Sequence, residues 1–152
     1  MQQWKIYLDC CCFNRPYDDS SEAMVRMESE AIINIIDQCE QQDLIIFGSD
    51  VLIDEINRIS DTGKYEKVME LYLSTASNTI ELCESITNRA SEFISKGIKP
   101  FDSLHVASAE YANADVFLTT DKQLLKAIDR LNLNIKVYNP ATWLLEVLLD
   151  ER

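Results

Sequence analysis

The sequence predicts an α/β fold in which a mainly parallel sheet carries helices on both faces. Three observations carry that prediction. Strand-like and helix-like segments alternate along the whole chain, the order that builds βαβ units. No two-residue hairpin signal joins any two strand-like runs, so neighbouring strands are connected through helices. The runs are also short and apolar, as in strands covered on both sides. At 152 residues, 47% of them hydrophobic and 26% charged, the chain is expected to form one domain, residues 1–152, around a single core.

The elements follow in order. "WKIYLDC" alternates and then runs apolar, the pattern of a buried strand near residues 4–11. "NRPYDDSS" is a polar loop, and Ser20 or Ser21 can cap a helix in which Met24, Met27, Ala31, Ile32, Ile35, Ile36 and Cys39 recur at helical spacing. "LIIFGS" is the second strand. Ser49 then caps "DVLIDEINRI", with Val51, Leu52, Ile56 and Ile59 on its apolar side. "SDTGKY" is a turn and "YEKVMELYLSTA" a helix, whose Val68, Leu71 and Tyr72 either complete the core or offer a partner surface. "NTIELC" is a short third strand, and "ESITNRASEFISKG" a helix ending at Gly97. Pro100 suits the first turn of the helix bearing "FDSLHVASAEYA". The strand "VFLTT", the helix "DKQLLKAIDRL", the strand "IKVYNP" and the helix "ATWLLEVLL" complete the chain. The aromatics Trp4, Tyr7, Tyr72, Phe93, Phe117, Tyr138 and Trp143 fall mostly on apolar faces and are expected in the core.

No apolar run approaches the roughly 20 residues that cross a bilayer, and "MQQWKIYLDC" has no basic region leading into an apolar one. The expected location is cytoplasmic, without a membrane partner. The five cysteines, Cys10, Cys11, Cys12, Cys39 and Cys83, fit a reducing compartment. On a strand the adjacent three would point to alternate faces, so they could not grip one metal. They are expected to be reduced core residues. The net charge of −12 opposes binding to a polyanion, whose affinity rests mainly on phosphate contacts. Acids crowd "RMESEA", "DQCEQQD" and the terminal "DER", and a solvated acidic exterior covers most of the excess. A polyanion would have to be held by metal and by local bases such as Arg15, Arg58, Lys64, Lys96 and Lys99.

Four acids stand where buried elements begin or end. In an open parallel sheet, sites form beyond the carboxyl ends of strands, where the strand order reverses. Asp9 ends the first strand and Asp121 ends "VFLTTD". Glu55 is one to two turns into the helix after the second strand, and Asp102 is in the first turn of its own helix, where the dipole favours an anion. If the first and fourth strands are neighbours, all four can converge. Carboxylates that close repel one another unless a hard cation lies between them, and Mg²⁺ or Mn²⁺ takes oxygen ligands. Each acid also has a plain structural use: Asp102 and Asp121 as helix caps, Glu55 as an exposed helical acid. Asp9, with no cation nearby in sequence, is the hardest to explain that way.

These pieces resemble the PIN-domain nucleases, the family that includes VapC-type toxins of toxin–antitoxin pairs. The matching stretches are "YLDCCCFNRP", "SDVLIDEI", "PFDSLHVASAEYANADVFLTTD" and "VYNPATWL", which together span nearly the whole chain. The resemblance implies a three-layer α/β/α sandwich with a mainly parallel five-stranded sheet. It implies a catalytic set of Asp9, Glu55, Asp102 and Asp121, with Asp9, Asp102 and Asp121 holding Mg²⁺ or Mn²⁺ and Glu55 acting directly or through water. It implies an RNA substrate, a homodimer and, for toxin members, an antitoxin protein. The family commonly has Ser, Thr or Asn two residues after the first Asp; this chain has Cys11, so that hydrogen bond is either missing or supplied by Asn14. Thr119 matches the family's hydroxyl before the last Asp and could orient a carboxylate or water. Arg15 is a candidate for substrate contact, and Tyr17 beside it could stack on a base or anchor its loop.

His105, the only histidine, follows Asp102 by three positions and is expected to pack or hydrogen-bond structurally. A haloacid-dehalogenase-like phosphatase would need a second Asp where Cys11 stands, and a receiver domain would need an acid pair and a late Lys that are absent. The rival from another class is a catalytically inactive PIN-like module that binds a protein, which metal uptake would distinguish.

Overall fold

The computed structural model describes residues 3–41 and 44–149; the terminal "DER" lies outside them. Five strands, β1 (Trp4–Leu8), β2 (Leu44–Ser49), β3 (Ser77–Ile80), β4 (Val116–Leu118) and β5 (Lys136–Tyr138), form one sheet in the order β3-β2-β1-β4-β5. Every pair is parallel, with Ile6 opposite both Ile46 and Val116, and Phe117 opposite Val137. The chain builds outward from β1 to β3 and then returns to the other side of β1. The order therefore reverses between β1 and β4, where a parallel sheet opens a crevice.

The helices are α1 (Cys10–Asn14), α2 (Ala23–Gln41), α3 (Asp50–Ile56), α4 (Thr62–Thr75), α5 (Glu84–Ser95), α6 (Pro100–Tyr111), α7 (Lys122–Leu131) and α8 (Pro140–Trp143). A 3-10 turn at Arg15–Tyr17 follows α1, and a π-helical stretch at Leu144–Leu148 continues α8. They cover both faces of the sheet, giving the expected three-layer sandwich. In the middle strand Ile6, Tyr7 and Leu8 are all fully buried, which explains why its alternation gives way to an apolar run. Tyr7 stacks on Phe117 of the next strand at 5.4 Å between ring centroids, and Trp143 meets Trp4 edge-on at 5.5 Å. No helix among the described residues is long and apolar enough to cross a membrane.

Three expectations change. The first strand ends at Leu8 rather than Cys11, because Asp9 caps a helix: its carboxylate accepts the Cys10 N–H at 2.7 Å and its carbonyl accepts the Cys12 N–H at 2.9 Å. The three cysteines are therefore helical. Cys10 and Cys12 are buried, Cys11 is half-buried, and none of the five cysteines forms a disulfide. Burial, and then the nearby charge of Glu55, pushes the Cys10 thiol up; burial also raises Cys12. Both stay uncharged and inert. Second, α4 starts inside the expected turn, because Asp61 caps it through the Lys64 N–H at 3.0 Å. Its Val68 and Tyr72 complete the core, while Leu73 points outward at 67% exposure. Third, Trp4 and Tyr138 are only half-buried; the other five expected core aromatics are buried.

The last third of the chain is placed by two local devices. Gly97 takes φ +97° beyond the end of α5, where the Ile98 N–H reaches back to the Phe93 carbonyl at 3.1 Å. That turn reverses the chain into α6, which packs along α5 through Arg89 and Glu110 at 2.8 Å. Pro100 occupies the first turn of α6, where its missing N–H costs nothing.

Candidate metal centre

The crevice between β1 and β4 is framed by α1, α3, α6 and α7, and each expected acid arrives on a different segment. Asp9 follows β1 directly and is only 4% exposed. Its Oδ1 accepts the Cys10 N–H, and its Oδ2 accepts the Thr119 hydroxyl at 2.9 Å and the Cys11 thiol at 3.6 Å. The Thr119 hydroxyl in turn accepts the Asp121 N–H at 3.1 Å, so one side chain ties the ends of β1 and β4 together. Thr119 thus orients a carboxylate, as its position before Asp121 suggested.

Cys11 takes up the place that the departure at this position left open. Its sulfur lies 3.4 Å from Thr119 Oγ1 and accepts the Thr120 N–H at 3.3 Å. Asn14 does not supply that bond to Asp9: its amide donates toward Cys10 Sγ at 3.9 Å, and its Oδ1 is buried without a partner. Arg15 faces away from the acids. Its NH1 donates to Asp18 at 3.0 Å, and its Nε lies 3.1 Å from the buried Glu28, a charge contact without an aligned hydrogen bond. Lys64 is likewise held, by Asp18 at 2.7 Å.

Asp121 caps α7, with Gln123 and Leu124 N–H groups at 2.9 and 3.2 Å both falling on Oδ1. Its structural use and a place in the centre are compatible, because Oδ2 stays out of the cap. Asp102 does not cap α6, whose N-cap is Lys99. Asp102 and Asp121 instead line a small notch of about 70 Å³ together with Lys99 and Gln123. Burial, then the charges of Asp9 and Asp121, raises the Asp102 carboxyl to about 6. Asp9 is raised as well, chiefly by burial and further by Glu55, despite the opposing pull of His105. Asp9 and Asp102 therefore feel the charges of neighbouring acids, the condition under which a cation between them is stabilising.

The most compact grouping among the described residues is nevertheless Asp9, Glu55 and His105, whose donor atoms lie within 4.8 Å of one another. His105 is fully buried. Its Nε2 is 2.6 Å from Glu55 Oε1 and 3.7 Å from Asp9 Oδ1, and its Nδ1 is 2.6 Å from the Tyr7 hydroxyl. A carboxylate only accepts, so Nε2 carries a proton and donates to Glu55. Tyr7 also lies 2.8 Å from Ser49 Oγ, and its hydroxyl can satisfy Nδ1 as donor or as acceptor by reversing direction. Burial alone would hold the imidazolium down; the Glu55 bond and the Asp9 charge overcome it and raise His105 above the ordinary histidine value. The expected structural role of His105 is thus met inside the centre rather than away from it.

The donor set fits a hard divalent ion: four carboxylates, two of them reaching solvent through the notch and one nearly sealed. Nothing in it resembles a thiolate zinc site. At the rim, Arg58 lies over the Phe101 ring at 5.1 Å, and Phe101 stacks at 6.3 Å from His105. With Lys99, Arg58 gives this face two exposed bases in a strongly acidic chain.

A family model described as the PIN domain matches residues 6–131. Among solved structures, VapBC2 from Rickettsia felis bound to a DNA fragment from its promoter is 15% identical; the match covers 89% of this chain and 98% of that one, with a TM-score of 0.58. VapC20 from Mycobacterium tuberculosis, described as a sarcin-ricin loop cleaving toxin, is 13% identical over 80% of this chain and 94% of that one, with a TM-score of 0.57. At these identities the likeness is one of fold. No curated protein sequence matches the chain.

Proposed function

This chain belongs to the PIN domain family, and from that premise we propose that it is a metal-dependent ribonuclease, the toxin of a toxin–antitoxin pair. What supports the reading is the compact grouping of Asp9, Glu55 and His105, whose donor atoms lie within 4.8 Å of one another, with Asp102 near enough to be pushed to about 6 by burial and by the charges of Asp9 and Asp121. Asp9, Asp102 and Asp121 would hold Mg²⁺ or Mn²⁺, with Glu55 as a ligand or acting through water. When bound, the ion supplies Lewis acidity at a scissile phosphate and an acidified water as nucleophile.

The chain's own residues do the rest. Thr119 and the Cys10 N–H fix both oxygens of Asp9. The α7 cap fixes Asp121 through one oxygen and leaves the other for the ion. Arg58 and Lys99 are exposed bases that could meet phosphate. The VapC20 neighbour, described as a sarcin-ricin loop cleaving toxin, supports RNA as substrate, the VapBC2 neighbour supports an antitoxin partner, and the family resemblance supports a homodimer.

The test is replacement of Asp9 or Asp102 by Asn, followed by cleavage of single-stranded RNA in Mg²⁺ or Mn²⁺. Cleavage is expected to fall by about 100-fold or more, because several kcal/mol of charge stabilisation are removed. Undiminished cleavage in a metal-dependent assay rejects the reading. Calorimetric titration with Mn²⁺ separates the inactive-module alternative, which predicts no uptake.

A further inference from the structure

The metal-centre reading leaves one chain of polar groups without a task. Ser49, Tyr7, His105 and Glu55 lie on β2, β1, α6 and α3, and each bonds the next at 2.8, 2.6 and 2.6 Å. The first three are fully buried. Tyr7 sits in the middle of the sheet, where both faces are covered and an apolar residue would satisfy the fold alone. The chain is anchored at its far end as well, because Ser49 Oγ also accepts the Leu52 N–H at 3.0 Å and so caps α3. The same hydroxyl therefore sets where α3 begins and ends the row of hydrogen bonds that reaches Glu55 six residues later.

We infer that His105 is a positioning residue: it holds Glu55 by one carboxylate oxygen, and Tyr7 and Ser49 lock its ring so that Glu55 meets the divalent ion in a single arrangement. The inference rests on the proposed metal centre and deepens it. The geometry favours positioning over direct coordination, because Nε2 is already committed to Glu55 at 2.6 Å while Asp9 Oδ1 stands off at 3.7 Å. Without His105, Glu55 is a side chain about one-third exposed at the end of a short helix, free to rotate among rotamers. Partners that orient a metal-binding carboxylate typically change metal affinity 10- to 100-fold when removed.

The experiment measures Mn²⁺ affinity by the EPR signal of the free ion, well below the unfolding temperature, so that a purely structural effect on stability does not register. Tyr7→Phe removes one hydroxyl that lies two bonds away from Glu55. It is expected to weaken Mn²⁺ binding by about 10-fold, and to have no further effect in a Glu55→Ala background, where the group it acts through is gone. His105→Gln keeps an N–H near the position of Nε2 and is expected to retain most of the affinity; His105→Leu, of similar size, is expected to lose it. Pulsed EPR of the Mn²⁺-loaded protein is expected to show no directly bound nitrogen, a clean readout because the chain has one histidine.

Several outcomes overturn the inference while leaving the metal centre intact. They are a Tyr7→Phe effect that is absent or is equally large without Glu55, equal losses in His105→Gln and His105→Leu, or the nitrogen coupling of a coordinated imidazole. Failure of the unsubstituted protein to take up Mn²⁺ overturns both.

Discussion

At the scale of single residues, the centre depends on side chains that each do two things. Thr119 binds Asp9 through its proton and Asp121 through its lone pair. Thr119→Val, close in volume, removes both bonds. It is expected to lower Mn²⁺ affinity by about 10- to 100-fold and, by underpairing a buried carboxylate, to destabilise the fold by about 1–3 kcal/mol, which titration and thermal unfolding together would check. At the rim, Arg58→Gln removes a cation over Phe101 and an exposed ion pair with Asp54 at 3.5 Å, without touching a carboxylate of the centre. It should raise the KM for RNA, leave kcat near its original value, and flatten the dependence of binding on salt. The acids were legible in the sequence because an Asp at the end of an apolar run conflicts with burial. The Tyr7–His105 pair was not, because a tyrosine and a histidine at apolar spacing look like core in any one-dimensional pattern, and their partners lie 42 to 98 residues away.

At the scale of elements, the helix starts decide where the acids stand. Ser49, Asp61, Asp121 and Asn139 each cap the helix that follows; the caps at Ser49 and Asp121 could be read from residue type, whereas Asp61 lies inside an expected turn and Asn139 inside an expected strand. The boundary after β1 could not be read either, because Asp9 is at once the residue that stops the strand and the cap of α1, and Cys10–Cys12 are apolar enough to continue either element. Gly48 shows how tightly β2 is held beside the centre. A Cβ there would stand 2.6 Å from the Tyr72 hydroxyl, and that hydroxyl accepts the Ser49 N–H at 3.0 Å. Gly48→Ala is therefore expected to destabilise the protein by about 1–3 kcal/mol, measurable as a lower urea midpoint. Tyr72→Phe is expected to relieve part of that loss.

For the whole molecule, clustering acids around a crevice has a cost that depends on pH. Asp9 and Asp102 hold their protons to higher pH when folded than when unfolded, Asp102 to about 6. Between the ordinary carboxylate range, roughly 4, and that value, the folded chain binds protons that the unfolded chain has released, so stability falls as pH rises through this window. His105, raised on folding, acts in the same direction: its contribution is present below the ordinary histidine value and is lost as pH rises. The metal-free protein is expected to melt at a lower temperature at pH 7.5 than at pH 5.5. Mg²⁺ or Mn²⁺ should restore stability at pH 7.5 and act weakly at pH 5.5, where protons occupy the same oxygens; thermal scans with and without the ion check this. The order of β1 through β5 has one more consequence. Asp9 and Glu55 leave the ribosome early, but β4, which brings Thr119 and Asp121 against them, is synthesised more than a hundred residues after Asp9. A nascent or truncated chain ending before Val116 would carry Asp9, Glu55 and Asp102 but neither Thr119 nor Asp121, so the crevice has no opposite wall until synthesis is nearly complete.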